Sequence, residues 1–277
     1  MPAFNEEQGI GHVLEELKGL GEDFEVLVVD DGSTDGTFEA ARRSGVRVLR
    51  HRSNRGYGAA LKTGIREARG EIIVITDADG TYPNERIPEI VGKMADNDMV
   101  VGARTGRSVA IPWTRRPAKW ALRKLANYLA ETRIPDLNSG LRAIRRDVAL
   151  HFFPILPAGF SFTTTITLAM LVNDYPVEYV PIDYHARKGK SKIRPVHDTL
   201  NFVSLIVRTT VYFRPLKVFL PVAGFLVFAS LLILLGSWLL TPKIMDASVT
   251  ITFMAGVQVA ALGLLADLID KRSGWSR

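Results

Sequence analysis

The 277-residue chain contains no cysteine, which excludes disulfides and fits a reducing compartment. No P-loop is present, and Gly56-Tyr57-Gly58 lacks the third glycine of a dinucleotide fingerprint. The five histidines (His12, His51, His151, His185 and His197) show no metal-ligand spacing, which leaves them core or surface roles. Internal repeats and low-complexity stretches are missing, and no N-terminal signal peptide is read. Charge is absent where its absence says most. None lies between Val218 and Leu240, a run of 23 residues, or between Ala247 and Ala266, a run of 20.

About 20 apolar residues cross a bilayer as a helix, so both runs qualify; two long buried core helices are the alternative. The linker Thr241–Asp246 is too short to hold a domain, so the pair reads as a membrane hairpin. Arg214 and Lys217 precede it, Lys271, Arg272 and Arg277 follow it, and Lys243 and Asp246 cancel inside the linker. The positive-inside rule then places both termini, and the large domain with them, on the cytoplasmic side of the plasma membrane. The hairpin is also a candidate for contact between subunits of a homo-oligomer.

What is present is an α/β domain of about 200 residues preceding the hairpin, in a chain that is 47% hydrophobic. The net charge of +6 hides segregation. Residues 1–103 hold 12 Lys/Arg against 19 Asp/Glu, whereas residues 104–146 hold 11 Lys/Arg against Glu131 and Asp136. Residues 185–194 add Arg187, Lys188, Lys190, Lys192 and Arg194 with no acid. Beside a membrane hairpin, such a block suits lipid headgroups or a lipid-linked phosphate better than nucleic acid, which is not expected as a partner.

The first half alternates strand and helix patterns. Strands are expected over Phe24–Asp30, Val46–Arg50, Ile72–Thr76 and Met99–Ala103. Helices are expected from the Asp31–Gly36 turn to Ser44, over Tyr57–Ala68 and over Arg86–Ala95. This rhythm implies a doubly wound, mostly parallel sheet, in which ligands bind beyond the carboxyl ends of the strands. Past Gly102 the rhythm breaks. Arg115–Thr132 reads as a basic helix, Asp136–Gly140 as a polar loop, Leu141–Arg145 and Val177–Tyr184 as strands, and Phe162–Val172 as an apolar helix. Val196–Phe213 has helical apolar spacing just ahead of the hairpin and reads as an interfacial helix. The expected division is a domain over 1–195, this helix over 196–213, and the hairpin over 214–277, with spans near 218–240 and 247–267.

Asp77-Ala78-Asp79 follows the apolar run Ile72–Thr76. Two carboxylates one residue apart at a strand end point the same way, and beside an anionic ligand they call for a hard divalent cation. A solvated turn before Gly80 is the competing reading. Asp30-Asp31 ends another strand, so both acidic sites should converge on one crevice. A carboxylate there can accept hydrogen bonds from a base or ribose; turn solvation with capping by Ser33, Thr34 or Asp35 competes. For Pro2–Glu6 the alternative is a helix start with Asn5 as N-cap.

Five segments stand in order: Pro2-Ala3-Phe4-Asn5-Glu6-Glu7, Val28-Val29-Asp30-Asp31-Gly32-Ser33-Thr34-Asp35-Gly36-Thr37, Thr76-Asp77-Ala78-Asp79, Asn138-Ser139-Gly140-Leu141-Arg142 and Arg187-Lys188-Gly189-Lys190-Ser191-Lys192. Over roughly residues 1–195 the chain resembles the family-2 glycosyltransferases of GT-A fold, and among them the polyprenyl-phosphate (dolichol-phosphate mannose synthase-like) group. The resemblance implies an inverting, metal-dependent transfer of a sugar from a nucleotide-diphosphate sugar to polyprenyl phosphate. It implies donor contacts at Pro2, Ala3, Asn5, Glu6, Asp30, Asp31, Asp77 and Ala78, with Mg²⁺ or Mn²⁺ on Asp77 and Asp79. Arg187 joins those two carboxylates as catalytic. Arg104, Asn138, Ser139, Arg187, Lys190, Ser191 and Lys192 are implied to hold the acceptor phosphate. Arg115, Arg116, Lys119, Arg123 and Lys124 are weaker candidates, because a helix face on anionic headgroups explains them equally well. Asn54–Gly58 is implied to pack near the donor.

A polyprenyl phosphate is ionised at neutral pH, so its oxygen can attack the sugar C1 without a general base. It needs cations instead. The family also begins with a full β-strand leading into the Pro-Ala-x-Asn-Glu turn, whereas only Met1 precedes Pro2 here, so a sheet short of that strand is expected. Two rivals stand: a polysaccharide synthase with a sugar hydroxyl as acceptor, against which no Q-x-x-R-W segment is found, and a catalytically silent membrane scaffold of the same fold.

Overall fold

The computed structural model describes residues 1–105, 124, 127–128, 131–159, 161–184, 207–240 and 246–273. The first compact unit is Met1–Val203 and the second Ser204–Arg277. In the first unit, β1 (Pro2–Ala3) leads into α1 (Glu7–Lys18) and β2 (Leu27–Asp30). α1 buries Ile10, Val13, Leu14 and Leu17, a stripe spaced three and four apart that faces the core. Glu7 in its first turn and Lys18 in its last suit the helix dipole. Next come α2 (Thr37–Arg43), β3 (Arg47–Arg50), α3 (Tyr57–Glu67), β4 (Ile72–Ile75), α4 (Ile87–Gly92) and β5 (Met99–Ala103). Then follow β6 (Arg142–Arg145), α5 (Arg146–His151), α6 (Phe162–Val172) and β7 (Val177–Pro181).

Strand–helix alternation therefore runs as expected from β2 to β5, and the ends of β5 and α6 fall where the sequence places them. The sheet is divided, however. β1, β2 and β3 form one parallel three-stranded sheet, and β4, β6, β5 and β7 form a second in that order. β6 runs antiparallel to both neighbours, and β5 and β7 are parallel. β1 has two residues, paired as Pro2 with Val29 and Ala3 with Asp30. So short a strand satisfies β2 on one side and provides no ladder to β4 on the other. A cavity of about 160 Å³, lined by Val29, Leu61, Ile65, Ile73 and Ile75 among others, lies between the sheets.

The core of the second sheet is the better filled. β5 is buried at all five positions, and α6 buries ten of its eleven residues. Each fully buried aliphatic side chain of this kind stabilises the fold by about 1.5–3 kcal/mol. The expected helix over Arg86–Ala95 is broken into α4 flanked by single 3₁₀ turns, Asn84–Arg86 and Lys93–Ala95. Of the expected basic helix, Lys124, Asn127 and Tyr128 are helical, while Arg115, Arg116, Lys119 and Arg123 lie outside the described residues.

In the second unit, residues 207–213 are helical. α7 (Leu216–Leu240) and α8 (Asp246–Ser273) follow. Both are long and apolar enough to cross a membrane, with mean hydropathy of 2.7 over Leu216–Leu239 and 1.9 over Asp246–Ile269, and both are largely exposed. Two glycines let them close on each other. A Cβ on Gly256 would come within 2.9 Å of Val227, and one on Gly263 within 2.6 Å of Phe219.

Candidate functional site

The carboxyl ends of β1 and β2 are stitched together. The Asn5 amide donates to Ser33 Oγ (3.0 Å), the Thr34 amide to Asn5 Oδ1 (2.9 Å), and the Glu6 amide to Thr37 Oγ1 (2.9 Å). Asn5 reaches this position with a left-handed backbone (φ 56°), and Glu6, not Asn5, precedes the first residue of α1. The alternative of Asn5 as N-cap is therefore incorrect, because its side chain is spent on the neighbouring loop. The Glu7 carboxylate accepts from the Gly36 amide (3.1 Å), and a Cβ at Gly36 would lie 2.3 Å from that carboxylate.

Asp30 and Asp31 end β2 and point to different partners. Asp30 is fully buried, accepts from the Ser33 amide (3.2 Å) and pairs with Arg50 Nε (3.1 Å). Asp31 is 3% exposed, and both its oxygens are occupied: Oδ1 by His51 Nδ1 (2.6 Å) and the Arg55 amide (3.0 Å), Oδ2 by the Gly56 amide (2.8 Å). His51 Nε2 lies 2.9 Å from Thr63 Oγ1 on α3. An open hollow of about 320 Å³ lies at these strand ends, lined by Gly32, Ser33, Thr34, Arg50, His51 and Arg52.

Asp77 and Asp79 stand at the end of β4. The Tyr57 hydroxyl donates to Asp77 Oδ1 (3.0 Å), and a Cβ at Gly140 would meet Asp77 Oδ2 at 2.8 Å, so a larger residue there would displace that carboxylate. The Gly140 amide donates to the Tyr82 hydroxyl (2.6 Å). Asp79 Oδ1 accepts from the Thr81 amide (3.1 Å) and hydroxyl (2.6 Å), which fixes the turn around Gly80. Ala78 between them is buried, with its carbonyl oxygen 3.1 Å from where a Gly9 Cβ would stand. The two acidic sites meet through α3: Gly56 binds Asp31, and the next residue binds Asp77.

Burial, and then the charge of Asp79, push the Asp77 carboxyl up to about 6. The same burial, with Asp77 beside it, pushes the Tyr82 phenol up to about 12. Two oxygen-donor carboxylates that disfavour each other's charge suit a hard divalent ion such as Mg²⁺ or Mn²⁺. No cluster of three or more His, Cys, Asp or Glu that could hold a metal occurs among the described residues.

A stability consequence follows from the sign of this shift. The folded pKa of Asp77 lies above its ordinary 3.8, so ionised Asp77 opposes folding. That penalty is absent below about pH 3.8, grows up to about pH 6, and is complete above it. Without divalent cation, Asp77→Asn should therefore be more stable than the parent by about 1–3 kcal/mol at pH 7.5. The difference should vanish near pH 4. Urea unfolding of the solubilised protein at the two pH values checks this, and equal stability at pH 7.5 would refute it.

The acceptor-side candidates divide. Arg104, at the end of β5, makes a bidentate pair with Asp136 (Nε–Oδ2 2.7 Å, Nη2–Oδ1 3.0 Å) and lies over the Tyr184 ring. Burial works against the Arg104 charge, but the Asp136 carboxylate more than offsets it and holds the guanidinium protonated. The Asp136 carboxyl, in turn, is held low by Arg104 despite its own burial. Asp136 also accepts from the Asn138 amide (3.0 Å), and Asn138 Oδ1 takes the Thr164 hydroxyl. Ser139 is fully buried, and its carbonyl receives Arg142 Nε (3.2 Å) and Nη2. Arg187, Lys190, Ser191 and Lys192 lie outside the described residues. Tyr57, Tyr82, His51 and Thr81 were not singled out by the sequence, although Gly56-Tyr57-Gly58 marked the segment carrying the first of them.

Residues 1–153 match the profile of glycosyl transferase family 2. The chain belongs to glycosyltransferase family 2. Residues 214–271 match a second profile, the GtrB C-terminal hairpin, so this family member joins a catalytic unit to a helical hairpin. Its relatives include the dolichyl-phosphate hexose transferase of Haloferax volcanii, 34% identical over 70% of this chain and 85% of that one. They also include the undecaprenyl-phosphate mannosyltransferase of Micrococcus luteus, 30% identical over 70% and 85%. An undecaprenyl-phosphate 4-deoxy-4-formamido-L-arabinose transferase of Enterobacter is 29% identical over 98% of the glycosyltransferase described here and 87% of its own length. Among solved structures, glucosyl-3-phosphoglycerate synthase from Mycobacterium tuberculosis in complex with Mn²⁺, uridine diphosphate and phosphoglyceric acid superposes with a TM-score of 0.61. It is 22% identical, covers 76% of each chain, and establishes the GT-A fold.

Proposed function

We propose that this glycosyltransferase moves a sugar from a nucleoside-diphosphate sugar to a polyprenyl phosphate, with inversion at C1, on the cytoplasmic face of the plasma membrane. The observation that carries the proposal is the Asp77/Asp79 pair at the end of β4, oriented by Tyr57 and Thr81 and tied through α3 to the end of β2. In open α/β folds ligands bind in the crevice beyond the carboxyl ends of the strands, and both acidic sites lie at such ends. The hollow lined by Ser33, Thr34, Arg50 and Arg52 would take the nucleoside, and Pro2, Ala3, Asn5 and Glu6 are proposed as further donor contacts, with Asn5 hydrogen-bonded to Ser33 and Thr34 of that hollow. Asp77 and Asp79 would hold a divalent cation, which when bound neutralises the diphosphate leaving group. The M. tuberculosis synthase, crystallised with Mn²⁺ and uridine diphosphate, supports a metal and a nucleotide in this fold.

Relatives that carry sugars to dolichyl or undecaprenyl phosphate support the acceptor class, and the hairpin supports a membrane location. An acceptor phosphate oxygen would form the new bond to C1 while the bond from C1 to the donor diphosphate breaks and the nucleoside diphosphate departs. No proton is abstracted, because the acceptor is already an anion. Arg187, Lys190, Ser191 and Lys192 are proposed to hold that phosphate. Arg104 is proposed to act with Asp136 in shaping the loop of Asn138 and Ser139.

Membranes containing the full chain, incubated with Mn²⁺, undecaprenyl phosphate and labelled UDP-glucose or GDP-mannose, should yield a labelled, mild-acid-labile lipid with at least one donor. Label appearing only in a polysaccharide, or in no product with a panel of nucleotide sugars, would overturn the acceptor assignment.

A further inference from the structure

We infer that the first turn of α3 is a strut that sets Asp77: Tyr57 holds the carboxylate directly, and Asp31, locked by His51, holds Tyr57 in place. The inference rests on the reading of Asp77 and Asp79 as the cation-holding pair. The need for a strut comes from the divided sheet. β2 and β4 belong to different sheets, so no ladder of backbone hydrogen bonds fixes Asp31 relative to Asp77. The connection runs through side chains instead. Thr63 and His51 lie 2.9 Å apart, His51 and Asp31 2.6 Å, and Asp31 takes the Arg55 and Gly56 amides. Tyr57, the next residue, then reaches Asp77 Oδ1.

The turn cannot easily move. Gly56 has φ 100°, and a Cβ there would strike the Ala158 carbonyl oxygen at 2.6 Å. A Cβ at Gly58 would lie 2.3 Å from the Pro157 carbonyl oxygen, and the Ala59 amide donates to Ala158 O (2.9 Å). Backbone packed this closely on a neighbouring loop gives Tyr57 a fixed base. With Oδ1 on the phenol and Oδ2 against Gly140, the rotation of the Asp77 carboxylate is set before any ligand arrives. Asp31 thus contributes as a positioning residue, with both oxygens committed to the protein.

The test uses the full chain in detergent and follows Mn²⁺ binding by electron paramagnetic resonance, with and without UDP or GDP. Tyr57→Phe removes one hydroxyl and keeps the ring. It should weaken Mn²⁺ binding about 10-fold and lower kcat, with the KM for undecaprenyl phosphate and the Tm unchanged. His51→Ala should weaken Mn²⁺ binding by several-fold, and His51→Asn, whose amide can replace ring Nδ1, should restore most of it. The double variant His51→Ala/Tyr57→Phe should bind no more weakly than Tyr57→Phe alone, because both act on one strut. Parent-like Mn²⁺ affinity in Tyr57→Phe, or multiplying effects in the double variant, would overturn the inference and leave the cation reading standing. If Asp79→Asn retained parent-like Mn²⁺ binding, the cation reading would fall and the inference with it.

Discussion

Asp79→Asn is expected to lower sugar transfer on the order of 10³-fold while the protein stays folded. The substitution separates charge from architecture. An asparagine Oδ1 can still accept from the Thr81 amide and hydroxyl, now at 3.1 and 2.6 Å, so the turn around Gly80 should persist. Gly80 itself has φ 69°, a conformation that the 79–81 turn must keep. What disappears is half the negative charge at the end of β4. A cation held there by one carboxylate would offset the diphosphate poorly. An alanine at 79 would lose the turn as well, which makes it the less informative variant. The measurements are the initial rate of lipid product formation and the Tm of the purified protein. A rate within about threefold of the parent would refute a metal role for Asp79.

That expectation was accessible from sequence, and it is instructive why its surroundings were not. An apolar strand followed by two carboxylates one residue apart is a local pattern, and β4 ends one residue short of the expected run Ile72–Thr76. β5 and α6 are equally legible, because β5 is an apolar run between Asp98 and Arg104 and α6 a charge-free, largely apolar run between Ser161 and Asn173. Asp30-Asp31 looks like the same kind of site. The partners of Asp31, however, are the amides of Arg55 and Gly56 and the ring of His51, twenty or more positions away. Nothing local announces which protein donors a carboxylate at a strand end will meet. Arg104 illustrates the same limit with the opposite charge. The resemblance implies an acceptor-phosphate contact there, and no local pattern announces that Asp136, 32 residues on, engages one edge of the guanidinium.

The divided sheet has a similar origin. Strand propensity identifies which segments extend, but pairing depends on how long each strand is and what lies beside it. Two residues of β1 suffice to pair with Val29 and Asp30, and not to carry a ladder across to β4. On the proposed function, the crevice between the sheets would then depend on side chains such as Tyr57. Their role emerges only when both strand ends are seen together.

The second large effect is expected at Arg142, where Arg142→Met should destabilise the protein by about 3–5 kcal/mol. Arg142 lies on β6 with no exposed surface. It donates to Ser139 O, to Thr163 O (3.1 Å) and to Thr167 Oγ1 (2.9 Å), and Met99 Sδ lies 3.8 Å away. All of these partners are neutral, and burial accordingly presses the guanidinium pKa below its ordinary value. A buried cation solvated only by neutral oxygens is costly to keep, so replacing it with an apolar side chain removes a penalty as well as bonds. The balance turns on the acceptors. Ser139 O would be left in the core without the two donors that reach it, and of the ties from the loop of 138–140 to α6 only the Thr164 hydroxyl on Asn138 would remain. Arg142→Lys should rescue little, because one ammonium cannot serve acceptors spread around a planar fork. Gly140, the next residue after Ser139, backs Asp77, so the loss should also appear as weaker Mn²⁺ binding under conditions where the variant remains folded. Urea titrations of both variants provide the measurement. A lysine variant as stable as the parent would show that charge alone, and not the shape of the guanidinium, holds this loop.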